Sequence, residues 1–232
     1  MTREFQQILN TSRDIIGFRA TMKMLFADIL SRPPKDKFDK RYNVSTQDVM
    51  SHKDLGLTSQ YSVDYVPIHE RVINHVLNNL NISYEDYIFI DLGCGKGRAI
   101  LAAMLFPFKK IIGVELIEFT SKIATDNVEI LKKNKLVKCT DIEICCQDAI
   151  NFDIPNDNIT FFLFMPFVGP ILDQVLDKIC RFREENNKRV IIAHAELRPS
   201  DEKIFLSKDR IKKIHDYRTL HLGFSWSLWE LQ

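Results

Sequence analysis

Apolar residues recur at helical spacing between positions 3 and 30, where Phe5, Ile8, Leu9, Ile15, Ile16, Met22, Leu25, Phe26 and Ile29 are separated by charges. The pattern predicts one or two amphipathic helices. SRPPKDKFDKRYN then breaks it, because consecutive prolines cannot continue a helix and the charges that follow favour solvent. This stretch reads as a linker or a lid. A further helix is expected over PIHERVINHVLNNL, with Pro67 near its first turn and Ile68, Val72, Ile73, Val76, Leu77 and Leu80 along one face.

Beyond it the pattern changes. YIFIDLG, KKIIGVEL, DIEICCQ, ITFFLFM and KRVIIAHA are short apolar runs that read as strands, and RAILAAMLF, TSKIATDNVEILKKN and PILDQVLDKICRF read as helices between them. Such alternation predicts an α/β fold in three layers, a parallel sheet with helices on both faces. The tail departs from the rhythm: DRIKKIHDYRT and LGFSWSLWEL are two strand-like segments joined near Leu220 and His221. With no long helix between them, they predict an antiparallel hairpin at one sheet edge.

Composition narrows the partners. A chain of 232 residues, 45% hydrophobic and 27% charged, accommodates one sizeable core with an appendage. A net charge of +1 gives no ground for a strongly basic nucleic-acid footprint. The five cysteines form no CxxC pair and leave an odd number, as expected of reduced thiols. MTREFQQILNTSRD lacks the apolar core of a signal peptide, and no run approaches the roughly 20 apolar residues of a membrane span. A soluble cytoplasmic protein is expected, away from the membrane. The histidines show no metal-ligand spacing, so no metal is expected.

The chemistry concentrates in FIDLGCGKGRAI, residues 89–100, where a strand runs into glycines at every second position. Without Cβ atoms, Gly93, Gly95 and Gly97 can take left-handed torsions and let a ligand lie against peptide planes, which favours a nucleotide-like ligand at a strand's carboxyl end. A dinucleotide fingerprint, GxGxxG, would put its third glycine at Arg98, and a phosphate loop would follow Gly97 with Lys and Ser or Thr rather than Arg98 and Ala99. NAD and ATP are both disfavoured.

Asp91-x-Gly93-x-Gly95-x-Gly97 resembles the first motif of class I S-adenosylmethionine-dependent methyltransferases. The resemblance spans roughly residues 61–232 and implies a Rossmann-like, seven-stranded, mostly parallel sheet ending in an antiparallel hairpin. Residues 1–60 are then an N-terminal helical extension and lid. The family's cofactor is S-adenosylmethionine. Glu115, ending the second strand about 20 residues past the loop, is expected to accept both ribose hydroxyls. Asp148 is expected to accept from the adenine amino group, with Leu116 and Ala149 supplying apolar faces for the purine. Asp91 would lie beside the cationic methionine end, and Cys94 would be a small filler in the loop. Tyr65 and Pro67 match a Tyr-x-Pro element that closes over the cofactor in similar enzymes, including the non-SET histone-lysine group and a little-characterised bacterial set. FDKRYNVST resembles a segment of those bacterial enzymes, from which Tyr42 would reach the site.

The fourth strand runs into Phe164-Met165-Pro166-Phe167, where many amino-methylating relatives carry Asn or Asp before the proline. Methionine sulfur is a weak acceptor, so a backbone carbonyl of Phe164 or Met165 would have to hold a target amine. Phe164 and Phe167 are candidates to stack on a planar substrate. His194, after the fifth strand, is the candidate proton acceptor, with Glu196 beside it. Methyl transfer to a protein side chain, a nucleic acid or a small molecule leads. The alternatives are a binding module that has kept the fold without catalysis, a reading Met165 encourages, and an NAD-dependent oxidoreductase.

Overall fold

The computed structural model describes residues 36–56, 64–218 and 224–232. The helices expected between positions 3 and 30, residues 57–63, and the turn near Leu220 and His221 lie outside these.

Within the described residues the chain forms α1 (Phe38–Tyr42), α2 (Glu70–Asn78), β1 (Tyr87–Leu92), α3 (Arg98–Ala103), β2 (Lys110–Glu115), α4 (Glu118–Leu131) and β3 (Ile142–Cys146). It continues with β4 (Asn158–Phe164), α5 (Pro170–Asn186), β5 (Val190–Ala195), α6 (Pro199–Leu206), β6 (Ile211–Arg218) and β7 (Ser225–Leu231). The strands form one seven-stranded sheet in the order β3-β2-β1-β4-β5-β7-β6. β1 to β5 run parallel, whereas β7 pairs antiparallel with both β5 and β6. The expected mostly parallel sheet with a terminal antiparallel pair is therefore present.

The layers follow from alternation along the strands. All six residues of β1 are buried, as a central strand covered on both faces must be. Phe89 packs with α2, α3 and α4 on one side, in a cluster that holds Val76, Leu77, Ile100, Met104, Val128, Phe162 and Trp226. Ile88, Ile90 and Leu92 point the other way, toward Leu172, Leu176 and Ile179 of α5 and Phe205 of α6. Successive side chains on opposite faces make both cores from one short run.

Two elements differ from the sequence reading. α2 starts at Glu70, three residues past Pro67, because His69 caps it: its ring accepts a hydrogen bond from the Arg71 N–H at 3.1 Å. α1 sits inside the stretch read as a solvated linker. Its Phe38 and Tyr42 are buried, and Asp36 and Asp39 turn inward to Arg98 while Lys37, Lys40 and Arg41 stay exposed. α6 was not anticipated, although Arg198-Pro199 followed by Asp201 and Glu202 is a helix-start pattern.

Parallel order places the carboxyl ends of β1, β2, β3, β4 and β5 on the same rim. The chain leaves β1 toward β2 on one side while β4 lies on the other, so the order reverses there and the loops after β1 and β4 diverge. A crevice opens at such a point. Phe89 anchors the strand beneath it, 5.2 Å from Phe108 and 5.9 Å from Phe162 between ring centroids. Phe89→Ala should cost about 3–5 kcal/mol of stability, read as a lower urea midpoint with an unchanged denaturant slope.

Candidate active site

A cavity of about 410 Å³ opens in that crevice, within the size range of small-molecule sites. Its floor is the loop after β1. Its sides come from the ends of β2 and β4, the loop after β3, and the segment entering α2.

The carboxylates arrive one from each strand end. Glu115 closes β2 and is 8% exposed. Its Oε2 accepts the Gly95 N–H at 2.8 Å and its Oε1 the Ile117 N–H at 2.9 Å. Each oxygen keeps a lone pair for a further donor, which suits a pair of neighbouring hydroxyls. Asp148 follows β3, with Oδ1 accepting the Ile150 N–H at 2.9 Å in a local turn. Asp91, in β1, is buried, and burial together with the Glu115 charge holds its pKa well above the usual carboxylate range. A cationic ligand beside Asp91 would act against that shift, favouring the ionised form.

The glycine loop is shaped by side chains as much as by any ligand. Gly95 has φ +54°, and a Cβ there would run into the Tyr65 ring. Gly93 likewise faces Pro166, so the loops after β1 and β4 touch at that point. Gly97 lies against Ala124 of α4 and does not line the cavity, so its bareness serves helix packing. Cys94 lines the cavity, but burial and the nearby Asp91 and Glu115 charges push its thiol well up, which keeps it un-ionised.

Tyr65 is fixed on three sides. Its hydroxyl donates to the Thr46 carbonyl at 2.8 Å, its backbone bridges Met50, and the Lys96 ammonium sits 5.3 Å from the ring centroid. Burial raises its pKa, so the phenol stays protonated. Tyr65, Pro67, Leu116, Ala149, Phe164, Met165, Pro166 and Phe167 all line the cavity with Asp91, Glu115 and Asp148. Met165 has φ +47°, a left-handed torsion that costs a non-glycine residue roughly 1–2 kcal/mol.

Like Gly97, the candidates His194, with Glu196 beside it, and Tyr42 do not line the cavity. His194 is 1% exposed, and its Nδ1 lies 3.1 Å from the Ala195 carbonyl. Strand alternation turns its ring to the other face, edge-on to Phe205 of α6, and burial lowers its pKa to about 3. A core histidine held neutral there cannot take a proton from a substrate in the crevice. Tyr42 is buried against Phe38, with ring centroids 4.8 Å apart, and is likewise absent from the lining.

Residues 57–151 match the family described as "Histone methylation protein DOT1". The matched segment holds the glycine loop, Glu115 and Asp148. A protein-lysine N-methyltransferase of Saccharolobus islandicus (strain REY15A) is 41% identical to it over 68 residues, which is 29% of this chain and 42% of that protein. Among solved structures, an RNA methyltransferase from Salinibacter ruber in complex with S-adenosyl-L-homocysteine aligns with a TM-score of 0.51 at 18% identity, covering 72% of this chain and 94% of that one. A predicted N6-adenine-specific DNA methylase from Listeria monocytogenes aligns with a TM-score of 0.53 at 12% identity, covering 72% and 51%. At such identities these two structures establish the fold alone. Among the described residues no helix is long and apolar enough to cross a membrane, and no cluster of His, Cys, Asp and Glu could hold a metal ion.

Reasoning from the sequence missed Arg98, which is 3% exposed and lines the cavity. A signal was present: a cation opening a helix sits at the positive end of the helix dipole, an unfavourable place unless carboxylates come to meet it.

His194 supplies a test of its placement. Its folded pKa of about 3 lies below the ordinary value of 6.5, so between those values the unfolded chain binds a proton that the folded chain refuses. Stability should therefore fall as pH drops through that window. Relative to His194→Gln, the wild type should lose about 1.4 kcal/mol more between pH 7.5 and 5.5, measured by urea denaturation at each pH.

Proposed function

We propose that the protein transfers a methyl group from S-adenosylmethionine to the amino group of a lysine side chain in another protein. The observation that carries the reading is the set of three carboxylates, Asp91, Glu115 and Asp148, one from each of three adjacent strand ends, around a glycine loop in a single cavity.

The residues fit the cofactor. Glu115 has a free lone pair on each oxygen for the two ribose hydroxyls, and as a carboxylate it repels a phosphorylated ribose. Asp148 would accept from the adenine amino group, between the apolar surfaces of Leu116 and Ala149. Asp91 would face the ammonium and sulfonium charges, with Tyr65 and Pro67 covering the loop from the other side. S-adenosylmethionine, when bound, supplies an activated methyl on a sulfonium and a neutral thioether as leaving group. The chain's contribution is then alignment and exclusion of water, the roles of Phe164, Met165, Pro166 and Phe167 at the end of β4.

The acceptor reading rests on charge and on the relatives. Apart from Arg98, whose guanidinium is committed to Asp36 and Asp39, the Asp, Glu, His, Lys and Arg side chains that line the cavity among the described residues are all carboxyls: Asp64, Asp91, Glu115 and Asp148. Such a lining attracts an ammonium-bearing side chain and repels a phosphodiester. The curated relative is a protein-lysine N-methyltransferase, and the matched family is described by histone methylation. With Met165 in place of an amide or carboxylate, the Phe164 and Met165 carbonyls are the acceptors available to orient the amine. The reading makes residues 1–60 the cap that selects the acceptor, and it sets the protein in the cytoplasm, supported by five cysteines without a disulfide.

The test is incubation with isotopically labelled S-adenosylmethionine and a protein extract, followed by hydrolysis and amino-acid analysis. Label in methyl-lysine is expected. Label in nucleic acid would move the acceptor to another class, and donor binding with no incorporation into any fraction would favour a module that has kept the fold without turnover. Glu115→Ala should weaken donor binding about 30-fold, the size of a lost charge-assisted contact, in calorimetric titration, while Met165→Ala should change turnover more than affinity.

Asp91 adds a pH signature. Because burial raises its carboxyl's pKa and a cation beside it would lower it again, donor binding at a pH below the raised value should release a proton. Affinity should rise with pH until the raised pKa is passed and stay level above it. Calorimetry in buffers of different ionisation enthalpy reads the released proton directly, and Asp91→Asn should abolish it.

A further inference from the structure

Arg98 sits immediately after the glycine loop, and every polar arm of its guanidinium is taken. Nε donates to Thr46 Oγ1 at 2.6 Å, Nη1 to Asp36 Oδ2 at 2.7 Å and to the Ile68 carbonyl at 3.3 Å, and Nη2 to Asp39 Oδ1 at 2.8 Å. The Phe38 ring lies 5.2 Å below. The two carboxylates are themselves engaged: Asp39 accepts from Thr46 and from the Gln47 N–H, and Asp36 from the N–H groups of Phe38 and Glu70. Asn127 of α4 completes the frame, accepting from the Ser45 N–H and donating to the Ser45 and Lys96 carbonyls.

One route from this part-buried cluster to the cavity runs through Thr46 and Tyr65. Thr46, held by Arg98 and Asp39 through its side chain and backbone N–H, presents its carbonyl to the Tyr65 hydroxyl. Tyr65 in turn lies on Gly95, whose N–H is bonded to Glu115. The contacts close a ring: Arg98 to Thr46, Thr46 to Tyr65, Tyr65 to Gly95, and Gly95 by one peptide unit to Lys96 and by three to Arg98. Without the guanidinium, Asp36 and Asp39 would face each other as part-buried like charges and push residues 36–47 off the loop.

We infer that Arg98 is a positioning residue of the donor site: by fixing Thr46 it sets Tyr65 against the glycine loop, and so determines donor affinity without touching the reacting atoms. The inference rests on the cavity being the S-adenosylmethionine site, and a fork of fixed N–H groups is required, so lysine cannot replace it.

The test is a cycle of Arg98→Lys, Tyr65→Phe and the double variant, read three ways. In calorimetric titration with S-adenosylmethionine, Arg98→Lys should bind about tenfold more weakly, and the double variant no more weakly than Arg98→Lys alone, because the phenol contact is already lost. In turnover, the donor KM should rise while kcat at saturating donor stays within about twofold of wild type, given that only ground-state and transition-state binding alike are weakened. In hydrogen exchange of the ligand-free proteins, the Met50 and Tyr65 amides, which bond to each other's carbonyls, should exchange faster in Arg98→Lys while the amides of β1 stay protected.

Wild-type affinity in Arg98→Lys, or effects that simply multiply in the double variant, would overturn the inference. Failure of the wild type to bind the donor would instead sink the cofactor reading, and exchange at Met50 and Tyr65 would then decide the positioning role alone, unchanged exchange rejecting it. Should Arg98→Lys not fold, Thr46→Val keeps both ion pairs and removes only the hydroxyl. It should still weaken donor binding about threefold and be non-additive with Tyr65→Phe, and unaltered affinity there would reject the inference too.

Discussion

The reversal of strand order at β1 is the constraint on which the site depends. Because β2 and β4 flank β1 on opposite sides, the loops leaving β1 and β4 cannot cover each other, and a concavity remains that no helix fills. Parallel register brings the ends to one level: Leu92 pairs with Val114, and Val114 with Cys145. Three carboxylates from distant parts of the chain therefore meet with no direct contact among them having to be strong. The sheet, stabilised by two apolar layers, carries the cost of gathering like charges.

Charge within the cavity is managed by two different means. Glu115 is satisfied by backbone N–H groups, which stabilise an ionised carboxylate without adding a formal positive charge. Asp91 has no comparable donors among the described residues, and burial is the largest influence on its pKa. Two acids within one cavity thus answer differently to the same ligand, one as a fixed acceptor and the other as a group whose ionisation follows binding. Around them, the loops are held by close contacts with Tyr65 and Pro166, so the bare glycines are already covered in part by the protein's own rings.

Much of this was legible in the chain itself. The strands and the terminal antiparallel pair could be read from alternation, and the acids could be read from their places after successive strands, since parallel order converts sequence position into spatial position. What could not be read is whatever depends on where a side chain finds its partner. Asp36 and Asp39 look like solvated charges beside lysines, and only the fold brings Arg98 to them across 62 and 59 positions. His194 stands at a strand end, as a catalytic residue would, yet a single step of the two-residue period sends it to the opposite face. Met165 departs from the pattern of its relatives in side chain while its backbone takes the left-handed torsion that an asparagine tolerates well.

The position of β7 has a consequence for how the sheet assembles. It follows β6 in sequence but lies between β5 and β6 in space, so β6 joins the sheet only through it. Pairings such as His194 with Ser227 close a long intervening segment, and loop closure of that kind is slow and comes late in folding. Until β7 arrives, β5 is an open edge with an apolar face, the state in which this fold is most exposed to pairing with another chain.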